Sequence, residues 1–274
     1  VQRPHYAKGG AIVKITAGQV AVVTGGTSGI GFGLAELLVR RGVHVMIADV
    51  REGAIPVAVG ALSGHAADVV GVRADVAVEA DVQALADATI ERFGRVDLVC
   101  NNAGVVCELV PSWEQSVETW RWLTEVKLMG VVHGIRAFAP IFLAQGHGHF
   151  LNTASAGGLM ALPMLSPYNA VMHAVVGLTE TLHLELASQS PDLGATVLCP
   201  GLVATNLGSN SATLAPADIS TTDGDPGGDT ALTPAAVAEA ALAAVEAARV
   251  HAIVGPGTDA VVRQRVDALL SDLG

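Results

Sequence analysis

The sequence predicts a single α/β domain: a doubly wound parallel sheet of about seven strands with helices on both faces. Three observations predict it. Short apolar runs rich in β-branched residues recur along the chain, and they are continuous rather than alternating, as in strands covered on both faces. Segments long enough for helices separate them. The length of 274 residues is one that such folds fill as a single unit.

Residues 1–16 are aperiodic and read as an N-terminal extension, leaving 17–274 as the domain. Strands are expected at Val20–Val23, Val43–Ala48, Val69–Val72, Val96–Cys100, Phe150–Asn152, Thr196–Cys199 and His251–Val254. Two long helices are expected, one from about Ser116 to Ala144 and one from Pro167 to Ala187, with Pro167 tolerated in the first turn. Residues 206–232, above all Gly208 to Asp229, are rich in Ser, Thr, Asp, Gly and Pro and read as a mobile insertion. Thr233-Pro234 then opens a further helix with a hydroxyl cap and proline at its first position. No internal repeat or second core interrupts the pattern.

Composition narrows the function. Apolar residues make up 51% and charged residues 15%, which excludes extensive disorder and suggests apolar surface buried between subunits. A net charge of −11 opposes binding to nucleic acid or an anionic membrane. No run of about 20 apolar residues occurs, and no basic segment followed by an apolar one opens the chain, so a cytoplasmic protein is expected. Cys100, Cys107 and Cys199, an odd number in apolar runs, read as reduced packing residues.

Chemistry concentrates at the expected strand ends. After the first strand comes Thr24-Gly25-Gly26-Thr27-Ser28-Gly29-Ile30-Gly31, followed at once by a helical pattern. Glycines allow a sharp turn and close approach to a pyrophosphate, which then meets the free N–H groups and positive dipole of a helix N-terminus. Asp49 ends the second strand 20 residues after Gly29 (49 − 29), about the spacing at which a carboxylate meets ribose hydroxyls. Asp75-Val76 and Asn101-Asn102-Ala103-Gly104 follow the third and fourth strands, on the edge where such sheets bind ligands. A Rossmann-type dinucleotide site is the expectation.

With these motifs, residues 17–274 resemble the short-chain dehydrogenase/reductase family. The glycine loop Thr24–Gly31, the pair Asp75-Val76 and the segment Asn101–Gly104 match the family's pattern in order. Ser155, closing Asn152-Thr153-Ala154-Ser155, aligns with the family's catalytic serine, and Tyr168, 13 residues on (168 − 155), with its tyrosine. Pro200-Gly201-Leu202-Val203-Ala204-Thr205 is similar to the family's nicotinamide-side segment. The resemblance implies hydride transfer between a nicotinamide cofactor and a secondary alcohol or ketone. Tyr168 would be the acid/base and Ser155 would polarise the substrate oxygen. Cofactor contacts would come from Gly25, Thr27, Ser28, Gly29, Ile30, Gly31, Asp49, Asp75, Val76, Asn102, Ala103, Gly104, Tyr168, Pro200, Gly201, Val203 and Thr205.

The resemblance also has two departures. The lysine expected four residues after Tyr168 is Met172, and the family's catalytic asparagine position, in Glu125-Val126-Lys127-Leu128-Met129-Gly130, holds Lys127. With a pKa near 10, only ~0.1% of a tyrosine is ionised at pH 7, and methionine supplies no charge to change that. The chain has only three lysines, Lys8, Lys14 and Lys127, and the arginines after Tyr168 lie near the C-terminus. Lys127 is therefore the candidate third catalytic residue, expected within about 6 Å of the Tyr168 hydroxyl. An alternative of another class is a catalytically silent relative that binds dinucleotide or a partner, and a third is a structural subunit of a mixed tetramer.

Asp49 should repel a 2′-phosphate, so NAD is expected over NADP, with Arg51 as the residue that could reverse this. Val175, Val176, Leu178, Leu182, Leu184 and Leu186 spread around the second long helix and predict a homo-oligomer, a tetramer or dimer. His147-Gly148-His149 lacks a third ligand and reads as a polar loop rather than a metal site. His173 and His183 read as surface or interface residues, and Trp113, Trp120 and Trp122 as helix-packing anchors. Leu159, Met160, Leu162, Met164 and Leu165 either line an apolar cleft or pack their own loop.

Overall fold

A computed structural model describes residues 14–222 and 231–273. Its seven parallel strands are β1 (Val20–Thr24), β2 (His44–Asp49), β3 (Val69–Arg73), β4 (Leu98–Asn101), β5 (Gly148–Thr153), β6 (Leu193–Pro200) and β7 (His251–Val254). The helices are α1 (Gly29–Arg40), α2 (Ile55–Leu62), α3 (Glu79–Phe93), α4 (Val117–Leu123), α5 (Gly130–Gln145), α6 (Ser166–Gln189), α7 (Leu207–Leu214), α8 (Pro234–Glu246) and α9 (Thr258–Ser271). One sheet runs in the order β3-β2-β1-β4-β5-β6-β7. The order reverses between β1 and β4, so the connections leaving them diverge and a crevice opens beyond the strand ends.

Side-chain alternation sorts the core. Ala21 and Val23 of β1 join one apolar cluster with Leu34 and Leu38 of α1 and Val237 and Leu242 of α8. Val22 joins another on the opposite face, with Leu85 of α3, Phe138 and Phe142 of α5 and Leu182 of α6. β1, β4, β5 and β6 are buried along their whole length, which is why their runs are largely apolar on both faces.

The long helix expected from Ser116 is α4 and α5 joined by a π-helical turn, Thr124–Met129. Ser116 caps it by accepting from the Thr119 N–H at 3.1 Å, and Gly146 ends it in the left-handed region, φ 75°. By length and apolar composition this helix could cross a membrane, but here it packs along the sheet. Thr233 caps α8 as expected.

Several expectations need correction. Residues 207–214 form a helix within the supposed irregular insertion; its buried residues are Gly208 and Ser211, too small to print an apolar period. Ser211 Oγ donates to the Leu207 carbonyl and accepts from the Val106 N–H at 2.9 Å, tying α7 to the loop after β4. Residues 223–230 of that insertion, and 1–13 of the N-terminal extension, lie outside the described residues. His183 is buried rather than superficial, with its ring against the Ala195 carbonyl at 3.1 Å. Trp113 is 85% exposed and anchors no helix. Val175, Val176, Leu182 and Leu186 are buried within the subunit, because α6 lies deep against β5 and β6, so that pattern needs no partner.

Candidate active site

The loops beyond the carboxyl ends of the strands enclose a cavity of about 1070 Å³. One end is walled by the glycine loop, Asp49 and Asp75, and the other by Ser155, Tyr168, Lys127 and apolar side chains. Polar bonds fix the frame between them. Thr24 Oγ1 accepts from the backbone N–H groups of Asn102 (2.9 Å) and Ala103 (3.1 Å), and Asn102 Nδ2 donates to the Thr24 carbonyl. Asn101 Nδ2 donates to Asn152, and Asn152 Nδ2 to Thr179 Oγ1 at 3.0 Å, locking β4 and β5 to α6 and so positioning Tyr168.

At the dinucleotide end, Gly25 has φ +63°, and a Cβ there would lie 2.9 Å from the Ala103 Cα. Only glycine lets these two loops close on each other. Ser28 begins α1 without a capping side-chain bond, and no acidic residue stands in the first turn, so the helix N-terminus is suited to an anion. Asp49 is 6% exposed. Burial opposes its carboxylate, but hydrogen bonds from Arg51 and Thr27 outweigh this and hold its pKa below the usual value. Arg51 donates to Asp49 Oδ1 (3.2 Å), Thr27 Oγ1 (2.7 Å), Ser28 Oγ (2.9 Å) and, across the cavity mouth, Asn210 Oδ1 of α7 (2.6 Å). A glycine cradle, an uncapped helix start and an acidic strand end together fit a dinucleotide.

At the other end, Ser155 closes β5 and Tyr168 stands in the first turn of α6. Asn169 holds them in register: its Nδ2 donates to the Gly157 carbonyl and to Met160 O at 2.8 Å. Burial pushes the Tyr168 pKa up, and a hydrogen bond with the Ser155 side chain draws it part of the way back. The π turn directs Lys127 inward, where it is 5% exposed, with Nζ over the Tyr168 ring, 5.3 Å from its centre. Gly104 lies against this amine, and a Cβ there would meet Nζ, the movable end of the lysine chain. Burial alone lowers the Lys127 pKa to about 8. Met172 is fully buried among Val105, Cys107, Val171 and Val176, away from the cavity wall.

Most of the expected site residues line this one cavity: Gly25, Ser28, Gly29, Ile30, Asp49, Asp75, Val76, Asn102, Ala103, Gly104, Lys127, Ser155, Tyr168, Pro200, Gly201, Val203 and Thr205. Thr27 and Gly31 do not. Thr27 turns to Asp49, its Oγ1 donating at 2.5 Å, and Gly31 lies behind the loop against Gly25 and Asn102. Met160, Leu162 and Leu165 are lining, whereas Leu159 packs the core and Met164 is exposed. Trp122 and Asn210 also line the cavity and were not foreseen, since neither belongs to a motif. His147 pairs with Asp97 at 3.2 Å, and His149 is buried against Thr196. The three cysteines are buried, with thiol pKa values raised by burial.

A family model for short chain dehydrogenases matches residues 19–214. A CLA biosynthesis dehydrogenase/reductase of Lactiplantibacillus plantarum is 35% identical over 192 residues, 69% of this chain and 66% of that protein. The 3beta-hydroxysteroid dehydrogenase 2 of Eggerthella lenta is 34% identical over 195 residues, 71% of this chain and 74% of its own. A crystal structure of a short chain dehydrogenase/reductase from Burkholderia phymatum in complex with NAD superposes with a TM-score of 0.86 at 37% identity, covering 94% of this chain and 96% of that one. The chain belongs to the short-chain dehydrogenase/reductase family of NAD(P)-dependent oxidoreductases.

Proposed function

We propose that the protein transfers a hydride between NAD and a bulky, apolar secondary alcohol or ketone, with Tyr168 as the acid/base. The observation that carries this reading is the single cavity that joins the glycine loop and Asp49 to the Ser155–Tyr168 pair. When bound, the nicotinamide supplies the hydride acceptor or donor. Gly25, Ser28, Gly29 and Ile30 would hold its pyrophosphate side, Asp49 the adenosine ribose, and Val203 and Thr205 the nicotinamide side. Ser155 donates a hydrogen bond to the substrate oxygen, which gains negative charge as hydride arrives, and Tyr168 delivers or removes the proton. Val105, Leu109, Trp122, Met160, Leu162 and Leu214 give the substrate arm little to offer a charged molecule.

NAD is favoured over NADP: an Asp49 carboxylate on the adenosine ribose would repel a 2′-phosphate, and Arg51 is already engaged by Asp49, Thr27, Ser28 and Asn210. The three buried, reduced thiols suit a cytoplasmic setting. A homo-oligomer is supported by Val117 and Leu143 at the ends of the α4–α5 helix and by Leu269 and Leu270 on α9, all about half exposed.

The test is turnover of cyclohexanol and of a 3-hydroxysteroid with NAD, alongside NADH binding by fluorescence. Tyr168→Phe is expected to lower turnover at least 100-fold while NADH still binds. Binding without turnover of either alcohol by the native protein, or full turnover by Tyr168→Phe, would count against the reading.

A further inference from the structure

We propose that Lys127 is the proton reservoir behind Tyr168, its neutral amine accepting a proton from the tyrosine during alcohol oxidation and its ammonium returning one during carbonyl reduction. This role rests on the oxidoreductase reading above and adds a second proton carrier to it. Lys127 acts through Tyr168 without touching the substrate itself.

The geometry is unusual for a lysine. Its amine lies inside the cavity wall, over the face of the Tyr168 ring, and among the described residues it makes no hydrogen bond and no ion pair. An ammonium in a side chain this deeply buried, with no carboxylate paired to it and only the face of the ring beside it, is disfavoured against the neutral amine. Its proton is therefore loosely held, with a pKa lowered to about 8, while burial raises that of Tyr168. As pH rises from neutrality, Lys127 gives up its proton first and Tyr168 keeps its hydroxyl. The site's ready proton donor and acceptor near pH 8 is thus the amine, and the tyrosine is the hydroxyl through which it reaches the substrate.

The surrounding groups leave this order intact. Cys107, from the loop after β4, and Cys199, on β6, face Tyr168 as thiols whose own pKa values are raised by burial. Ser155, at the end of β5, contributes an uncharged hydroxyl. Asp49 and Asp75 line the same cavity but make no ion pair with Lys127, and Glu125 on its own turn is exposed.

The step balances. In reduction, the carbonyl carbon would gain one hydride from a C–H bond of a bound reduced nicotinamide, which is left oxidised; the carbonyl π electrons move to oxygen, and that oxygen takes the Tyr168 hydroxyl proton. The Lys127 ammonium, which lies over the ring and not in hydrogen-bond contact with the hydroxyl, reprotonates Tyr168 through one water and ends as the neutral amine. Oxidation runs the same transfers backwards. Oxidation should therefore speed up as pH rises through about 8, and reduction should slow down.

The small number of lysines makes the test direct, because lysine labelled with ¹³C at Cε gives only three side-chain signals in the whole protein. Lys127→Met removes one and so assigns it, and Lys127→Gln serves if the methionine variant fails to fold. The expected result is a Lys127 signal titrating near pH 8, roughly two units below the ordinary lysine value. Oxidation of whichever alcohol turns over should show an ionisation near pH 8 in the native protein. In Lys127→Met that ionisation should vanish, with a rate lower by roughly 100-fold or more. Titration of Lys127 at the ordinary lysine value, or a variant with native rate and pH profile, would overturn the role. Tyr168→Phe separates the two readings: turnover surviving in it would sink the oxidoreductase mechanism, whereas the Lys127 titration is read without any turnover.

Discussion

Lys127 is also a burden on the fold. Its pKa falls from 10.5 to about 8 in the folded chain, so between those values the unfolded chain binds a proton that the native one does not. Stability attributable to this group therefore rises with pH across that window. At pH 7 the charged form costs the native state about 3 kcal/mol. Lys127→Met should raise the free energy of unfolding at pH 7, read from denaturant titration, by an amount of that order, and the gain should fade between pH 8 and 10.5. A gain that is the same at pH 7 and at 10.5 would assign it to packing instead. Asp49 offers a second measurement at this scale. Asp49→Ala removes the carboxylate and releases Arg51, so NADP affinity should rise at least about tenfold relative to NAD in a fluorescence titration. An unchanged ratio would mean that Asp49 does not set the preference.

Between elements, the glycine loop depends on contacts that tolerate no added atom. A Cβ on Gly31 would lie 2.6 Å from Asn102 Nδ2 and 2.9 Å from the Gly25 carbonyl carbon, so α1 would have to move away from β4. Gly31→Ala should lower the melting temperature and weaken NADH binding at least about tenfold, although Gly31 touches no part of the cavity. Arg51 and Asn210 join the same loop to α7. Much of this level was legible beforehand: strand runs, the helix start near Ser116 and the Thr233 cap each follow from local chemistry. The helix α7 was not, because it is anchored by Ser211 and glycine rather than by an apolar stripe.

At the scale of the whole molecule, α9 lies on the surface with Val266, Leu269 and Leu270 between 44% and 59% exposed. Leaving several large apolar side chains on one helix in water is unfavourable at ~25 cal/mol per Å². Multi-angle light scattering at micromolar protein should give the mass of a dimer or tetramer. Replacing Leu269 and Leu270 with Ser should lower that mass if α9 is part of the contact. A monomeric native protein would contradict the oligomer outright.

The parallel sheet, the strand ends that carry the site, and the order of the motifs were determined by the sequence alone. Each is a local property: a run of apolar residues, a glycine turn, or a spacing within one strand–helix unit. The tertiary structure decided what those signals cannot encode. Arg51 lies two residues from Asp49 in the chain, yet its partner Asn210 is 159 residues away. Met172, one turn after Tyr168, is buried away from the cavity, whereas Lys127, 41 residues before it (168 − 127), has its amine over the tyrosine ring. Which side chain reaches a site depends on how two helices pack across a sheet, and that is not a property of any single segment.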